Sequence, residues 1–267
     1  MNSRITPFVQ KLLLINIGLF ALKFLLAATI NLDQILALQG IYSGGFQPYQ
    51  FVTFMFMHAD FMHIFSNMFG LFVFGPLLEH FLGYKKFLIL YFVCGIGSGL
   101  LSWGINAYEV KNVREEAIAY AQSPNPDALH VFVNKHFKQG YNNSQVIKLL
   151  DYYSENPTNQ QAIDQSKQAV ADITALQSHY TLLGASGAIF GILMAFALLF
   201  PNTELMLLFP PIPIKAKYLI GGYAVFEIYS LYAQRPDDNV AHFAHLTGML
   251  FAFILIRYWK TNRNTFY

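Results

Sequence analysis

Six stretches of this chain are each apolar over close to 20 residues, and no other feature constrains the fold as tightly. A helix needs about 20 consecutive apolar residues to cross the hydrocarbon core of a bilayer. The stretches run roughly over 11–30, 59–81, 87–106, 183–201, 216–233 and 240–258, with a polar block from about 107 to 180 between the third and fourth. Charged residues make up only 12% of the 267, where soluble domains carry about a quarter. The expected fold is therefore all-α: a polytopic six-span transmembrane helical bundle with a helical soluble insert between spans three and four.

Two apolar regions need separate treatment. The first stretch contains Lys23, which a span tolerates by snorkelling or by facing the bundle. Its apolar run is longer than that of a cleaved signal peptide, so it is expected to stay as span one. The segment PNTELMLLFPPIPIK, residues 201–215, is broken by Pro201, Pro210, Pro211 and Pro213, which predicts a short loop on the bundle rather than a span.

Lysines and arginines in short loops set orientation. With the N-terminus inside, Arg4, Lys11, Lys85, Lys86, Lys215, Lys217, Arg257, Lys260 and Arg263 are cytoplasmic, while the short outer loops hold only Arg235. Both termini are thus expected in the cytoplasm of a cell whose inner membrane holds the protein, with a bacterial inner membrane as the default. The domain plan follows: 1–106 holds three transmembrane helices and an outer loop at 31–57, 107–181 is an extracytoplasmic helical insert, and 182–267 holds helices four to six and a cytoplasmic tail. Within the insert, helices are expected at about 108–121, 126–138, 145–154 and 159–176. Asn125-Pro126 reads as cap and first turn, Gly140 as a stop, and Thr158 with Gln161 as a capping box.

A net charge of +2 without a basic run gives no footing for nucleic acid. Cys94 is the single cysteine, so no intrachain disulfide forms and its expected role is a small apolar residue in a span.

The orientation has a testable consequence, because spans two, four and six all enter from the outer face. Span two opens with His58, His63 and Asn67, span four carries Ser186, and span six carries His242 and His245. At 1.5 Å per residue, a position five residues in lies roughly 7 Å deep, so Ser186, His245 and His63 share one layer. Polar groups at such depth are expensive and mark function. Small residues point the same way: Gly187 and Gly191 form a GxxxG face, and Gly248 with Ala252 a matching face on span six. Such faces let backbones approach closely, which brings a hydroxyl toward an imidazole. A neutral imidazole takes the proton that makes serine a nucleophile. His63 and Asn67, four apart on one helix face, offer donors to an oxyanion. No carboxylate on spans four or six orients His245, Asp60 lies near the outer surface, and Glu227 on span five has no visible link. The residues therefore support a dyad.

Gly184-Ala185-Ser186-Gly187, His58-x4-His63-x3-Asn67 and Ala244-His245-x2-Gly248, in this order and on these helices, resemble the rhomboid intramembrane serine proteases. The likeness covers about 47–104 and 183–258. It implies Ser186 as nucleophile, His245 as general base, and the Ser186 backbone N–H with His63 and Asn67 as oxyanion hole. Phe190 would pack on the catalytic imidazole, Gly184, Gly187, Gly191 and Gly248 would support the site, and His242 would be a solvent-side neighbour. Loop 31–57 would be partly submerged, and span five with the 233–240 loop would form a lateral gate. The substrates implied are transmembrane proteins in a lipid bilayer, with no metal and no cofactor. Two departures stand out: Tyr49-Gln50 replaces the family's Trp-Arg pair in loop one, and the insert replaces a short loop.

Two rival functions use the same residues. Four histidines, His58, His63, His242 and His245, suggest a zinc enzyme, but there is no HExxH motif and no carboxylate expected at catalytic depth. A non-enzymatic rhomboid-like protein is the other, against which every expected catalytic position is filled.

Overall fold

A computed structural model describes residues 5–137, 143–206, 211–233 and 241–261. Arg4, Gly140, Pro210, Arg235 and Arg263, together with most of the expected gate loop 233–240, lie outside the described residues. The helices in chain order are α1 (Pro7–Leu26), α2 (Leu32–Leu36), α3 (Gln50–Thr53), α4 (Phe61–Leu82), α5 (Tyr84–Gln122), α6 (Pro126–His136), α7 (Ser144–Glu155), α8 (Gln160–Ser178), α9 (Ser186–Leu199), α10 (Ala216–Ala233) and α11 (His242–Thr261). They fall into two compact units, one of Met1–Leu38, Gln47–Trp103 and Thr181–Tyr267, the other of Gln39–Phe46 and Gly104–Tyr180.

In the first unit α1, α4 and α5 are long and apolar enough to cross a membrane. Helix α9 is as apolar but has 14 residues. Helices α10 and α11 occupy the expected fifth and sixth stretches and carry more polar side chains, Glu227 and His242 and His245 among them. Leu14, Ile17, Phe24 and Leu25 of α1 and Phe61, Phe65, Phe69 and Phe72 of α4 are exposed. Apolar surface on this scale belongs against lipid rather than water.

Helix ends in this unit are tied by specific polar contacts. Thr6 precedes α1 and Pro7 opens it, a residue whose fixed φ suits the first helical position. The N-terminal donors go to Glu79 of α4: Thr6 Oγ1 donates to it at 2.6 Å, Val9 N at 2.9 Å and Phe8 N at 3.2 Å. A carboxylate at a helix N-terminus also meets the positive end of the dipole, which accounts for an acid that is otherwise buried in apolar surroundings. At the other end of α1, Lys23 Nζ lies 2.7 Å from Asp33 and donates to the carbonyls of His58 and Ala59.

The loop-one departure has a structural answer. Gln50 is fully buried, its amide nitrogen donates to Ile35 O at 3.1 Å, and its oxygen accepts from Gln47 N at 3.1 Å. A neutral amide thus pins the loop from both sides. Thr53 Oγ1 adds a 2.6 Å bond to Leu36 O.

Three expectations need correction. Residues 201–215 are not a plain loop, because Glu204–Met206 pairs antiparallel with Pro213–Lys215. The helix of span three does not stop near 106: α5 continues to Gln122, so no separate helix starts at 108. No Gly or Pro lies between 105 and 122 to break it. The cap of α8 is Asn159, not Thr158; its side chain accepts from Gln161 N at 2.8 Å and Ala162 N at 3.2 Å. Asn125 caps α6 by accepting from Ala128 N at 2.8 Å, with Pro126 in the first turn.

The second unit has its own core of Leu129, Phe132, Val133, Leu150, Tyr153 and Val170, packed with Val113 and Tyr120 of α5. Tyr120 donates from its hydroxyl to Ser166 Oγ at 2.7 Å within it.

Candidate active site

Ser186 is the first residue of α9, half-buried, and follows a turn that only glycine makes easily. Gly184 has φ +122°, a conformation L side chains rarely adopt, and its N–H donates to Phe54 O at 2.9 Å. Space there is also closed, since a Cβ on Gly184 would stand 2.6 Å from His63 Nε2. The imidazole of His63 therefore lies directly over the turn that delivers Ser186.

Helix α4 holds that imidazole. Asp60 caps the helix by accepting from His63 N at 2.9 Å, and Ala59 N reaches His63 Nδ1 at 3.4 Å. With Nδ1 as acceptor, the neutral ring carries its proton on Nε2, the nitrogen over Gly184. One turn further along the same face, Asn67 is 4% exposed, and its Nδ2 has no hydrogen-bond partner among the described residues. A buried amide donor left unused is costly. The amide lies on the same face of α4 as His63.

Helices α9 and α11 approach backbone to backbone at their glycines. A Cβ on Gly248 would fall on the Gly187 carbonyl, and one on Gly191 would reach Gly248 O at 3.2 Å and Cys94 Sγ at 2.5 Å. The small-residue faces do meet. Their contact brings His245 flat onto Phe190, ring centroids 4.1 Å apart and planes 9° apart. Phe190 lies one turn after Ser186 on the same face of α9, so the imidazole sits beside the helix stripe that begins with Ser186.

Glu227 corrects the sequence reading. It is 3% exposed on α10, with Oε2 2.5 Å from His242 Nδ1 and Oε1 3.1 Å from His245 Nδ1. A carboxylate does stand at the depth of the imidazoles. His242, expected on the solvent side, is buried against it. The His245 contact is close in distance but is not aligned as a hydrogen bond. The one sequence signal for Glu227 was its charge inside an apolar helix, which marks function by default.

The four histidines do not gather at one point. His58 packs edge-on to His63 at 5.0 Å and is fully buried, with neither ring nitrogen hydrogen-bonded among the described residues. Among the described residues the trio that converges closely enough to hold a metal ion is Glu227, His242 and His245.

A family model, the Rhomboid domain, matches residues 45–113 and 164–260. The chain is also similar to Rhomboid-like protein 11, chloroplastic, of Arabidopsis thaliana, 44% identical over 55 residues. That alignment covers 21% of this chain and 20% of the relative, so the chain spans about a fifth of that protein's length. With the domain match taking in more than half of its residues, the chain belongs to the rhomboid family, a family of intramembrane proteases.

Proposed function

We propose that this protein is an intramembrane serine protease that hydrolyses peptide bonds in or near the transmembrane segments of membrane proteins. The observation that carries the reading is the stacking of His245 on Phe190, one turn beyond Ser186 on the face of α9 pressed against α11.

In this reading His245 Nε2 takes the Ser186 proton as Oγ attacks the scissile carbonyl carbon. The tetrahedral oxyanion accepts hydrogen bonds from the Ser186 backbone N–H, His63 Nε2–H and Asn67 Nδ2–H. The unused donor on Asn67 and the Nδ1-accepting tautomer of His63 both suit that task. The imidazolium then protonates the leaving amine, and the C–N bond breaks to leave an acyl ester on Ser186. Water, deprotonated by His245, hydrolyses the ester and restores the serine. Gly184, Gly187, Gly191 and Gly248 serve by allowing the close approaches that assemble the site.

The reading extends to topology. Helices α1, α4, α5, α9, α10 and α11 form six spans with both termini cytoplasmic, in a bacterial inner membrane. Residues 107–181 form an extracytoplasmic insert, of which 114–163 fall outside the family match.

The test is cleavage of a single-pass membrane protein co-reconstituted in liposomes. Wild type is expected to produce two fragments and Ser186→Ala none. Equal cleavage by Ser186→Ala would contradict the reading.

A further inference from the structure

We infer that Glu227 is a positioning residue for His245, so that the dyad operates as a Ser186–His245–Glu227 chain. The inference rests on the roles of Ser186 and His245 proposed above.

A buried carboxylate in an apolar helix is too costly to persist without partners. Among the described residues Glu227 has two, both on the first turns of α11, and they engage different oxygens: Oε2 with His242 Nδ1 at 2.5 Å and Oε1 with His245 Nδ1 at 3.1 Å. His242 thus fixes the carboxylate against rotation, and the second oxygen is left facing the base. Contact at Nδ1 has a chemical consequence. It favours the tautomer with the proton on Nδ1 and the lone pair on Nε2, the form able to accept the Ser186 proton.

The larger effect comes as the proton moves. Once Nε2 is protonated the ring is a cation with an N–H directed from Nδ1, and a carboxylate oxygen stands 3.1 Å from that nitrogen. That attraction is stronger with the imidazolium than with the neutral ring, so it lowers the barrier rather than merely tightening the resting state. The poor alignment of the resting contact fits this, since catalytic hydrogen bonds often tighten only when substrate is bound.

Two other uses of the trio fit less well. Ligand atoms on one tetrahedral zinc stand about 3.3 Å apart at bond lengths of about 2.0–2.1 Å. The 2.5 Å separation of Glu227 Oε2 from His242 Nδ1 is that of a hydrogen bond. A plain staple between α10 and α11 would be complete with His242 alone, and it would not need the second oxygen on the base.

The experiment measures kcat, KM and thermal unfolding in the liposome assay for wild type, Ser186→Ala, Glu227→Gln and Glu227→Asp. The Gln variant is expected to keep KM within about twofold while kcat falls about 10- to 100-fold, the size of one charge-assisted hydrogen bond. The Asp variant is expected to regain at least half of that loss on a logarithmic scale. Wild-type kcat in Glu227→Gln, or equal losses in Gln and Asp, would overturn the inference. If Glu227→Gln does not fold, Glu227→Asp decides alone: kcat within about tenfold of wild type supports the inference, and a folded, inactive protein overturns it. Activity lost to EDTA and restored by zinc would also overturn it, by making the trio a metal site. A wild type that does not cleave, or a Ser186→Ala protein that does, instead defeats the proposed function itself.

Discussion

The imidazole of His245 lies parallel to the ring of Phe190, their centroids 4.1 Å apart. Phe190 is also met edge-on by Tyr223 of α10, 6.4 Å away, so the platform is itself braced. Parallel stacking fixes the plane of the base while leaving its nitrogens at the ring edge. Phe190→Ala removes the platform without touching an acid or base. A stacked pair contributes about 0.5–1.5 kcal/mol, so kcat is expected to fall about 3- to 10-fold with little change in KM. Steady-state kinetics on a reconstituted substrate checks this.

Gly248 tests the helix contact that delivers the base. Any side chain there meets the Gly187 carbonyl, which is backbone and cannot swing away. Gly248→Ala is expected to destabilise the protein by about 1–3 kcal/mol, the cost of overpacking, and to abolish activity. Gly222→Ala on α10, where nothing lies within 4 Å, is expected to be neutral or stabilising by up to about 1 kcal/mol. Thermal unfolding in detergent separates the two.

Asn67 should show function and stability in opposition. Its Nδ2 is buried and unbonded in the resting protein, so Asn67→Leu removes a buried polar cost. Stability is expected to hold or rise, whereas loss of one oxyanion donor is expected to lower kcat about 10²- to 10³-fold. A parallel fall in both would mean that Asn67 serves only packing.

Glu79 makes the converse case of a buried acid whose work is structural. Glu79→Ala leaves the donors of Thr6, Phe8 and Val9 without their acceptor. Unsatisfied buried donors cost about 1–3 kcal/mol each, so a loss of about 2–4 kcal/mol is expected. Glu79→Gln keeps an acceptor oxygen and should lose less than half of that. Chemical unfolding of the two variants beside wild type measures the difference.

The parts of the fold legible in the sequence are those set by local pattern. The apolar stretches marked where α1, α4, α5, α9, α10 and α11 lie, because a run of apolar residues is a local property of the chain. Asn125-Pro126 marked the start of α6 because cap and first turn are adjacent residues. The small-residue faces of α9 and α11 were legible for the same reason, since GxxxG spacing is a one-helix property. The end of α5 was not, because a change from apolar to polar composition alters what surrounds a helix without breaking it. Glu227 was missed for a different reason. Its partner His242 is 15 residues away on another helix, and no pattern within α10 says which of its faces meets α11. The burial of His242 followed from the same unseen contact.

The most direct measurement is labelling of the purified, detergent-solubilised protein with a fluorescent fluorophosphonate, which reacts with an activated serine. Wild type should label, and Ser186→Ala and His245→Ala should not, because the nucleophile and its base are separate requirements. Labelling of Ser186→Ala at the wild-type level would contradict the account, since the reactive serine would then lie elsewhere in the chain.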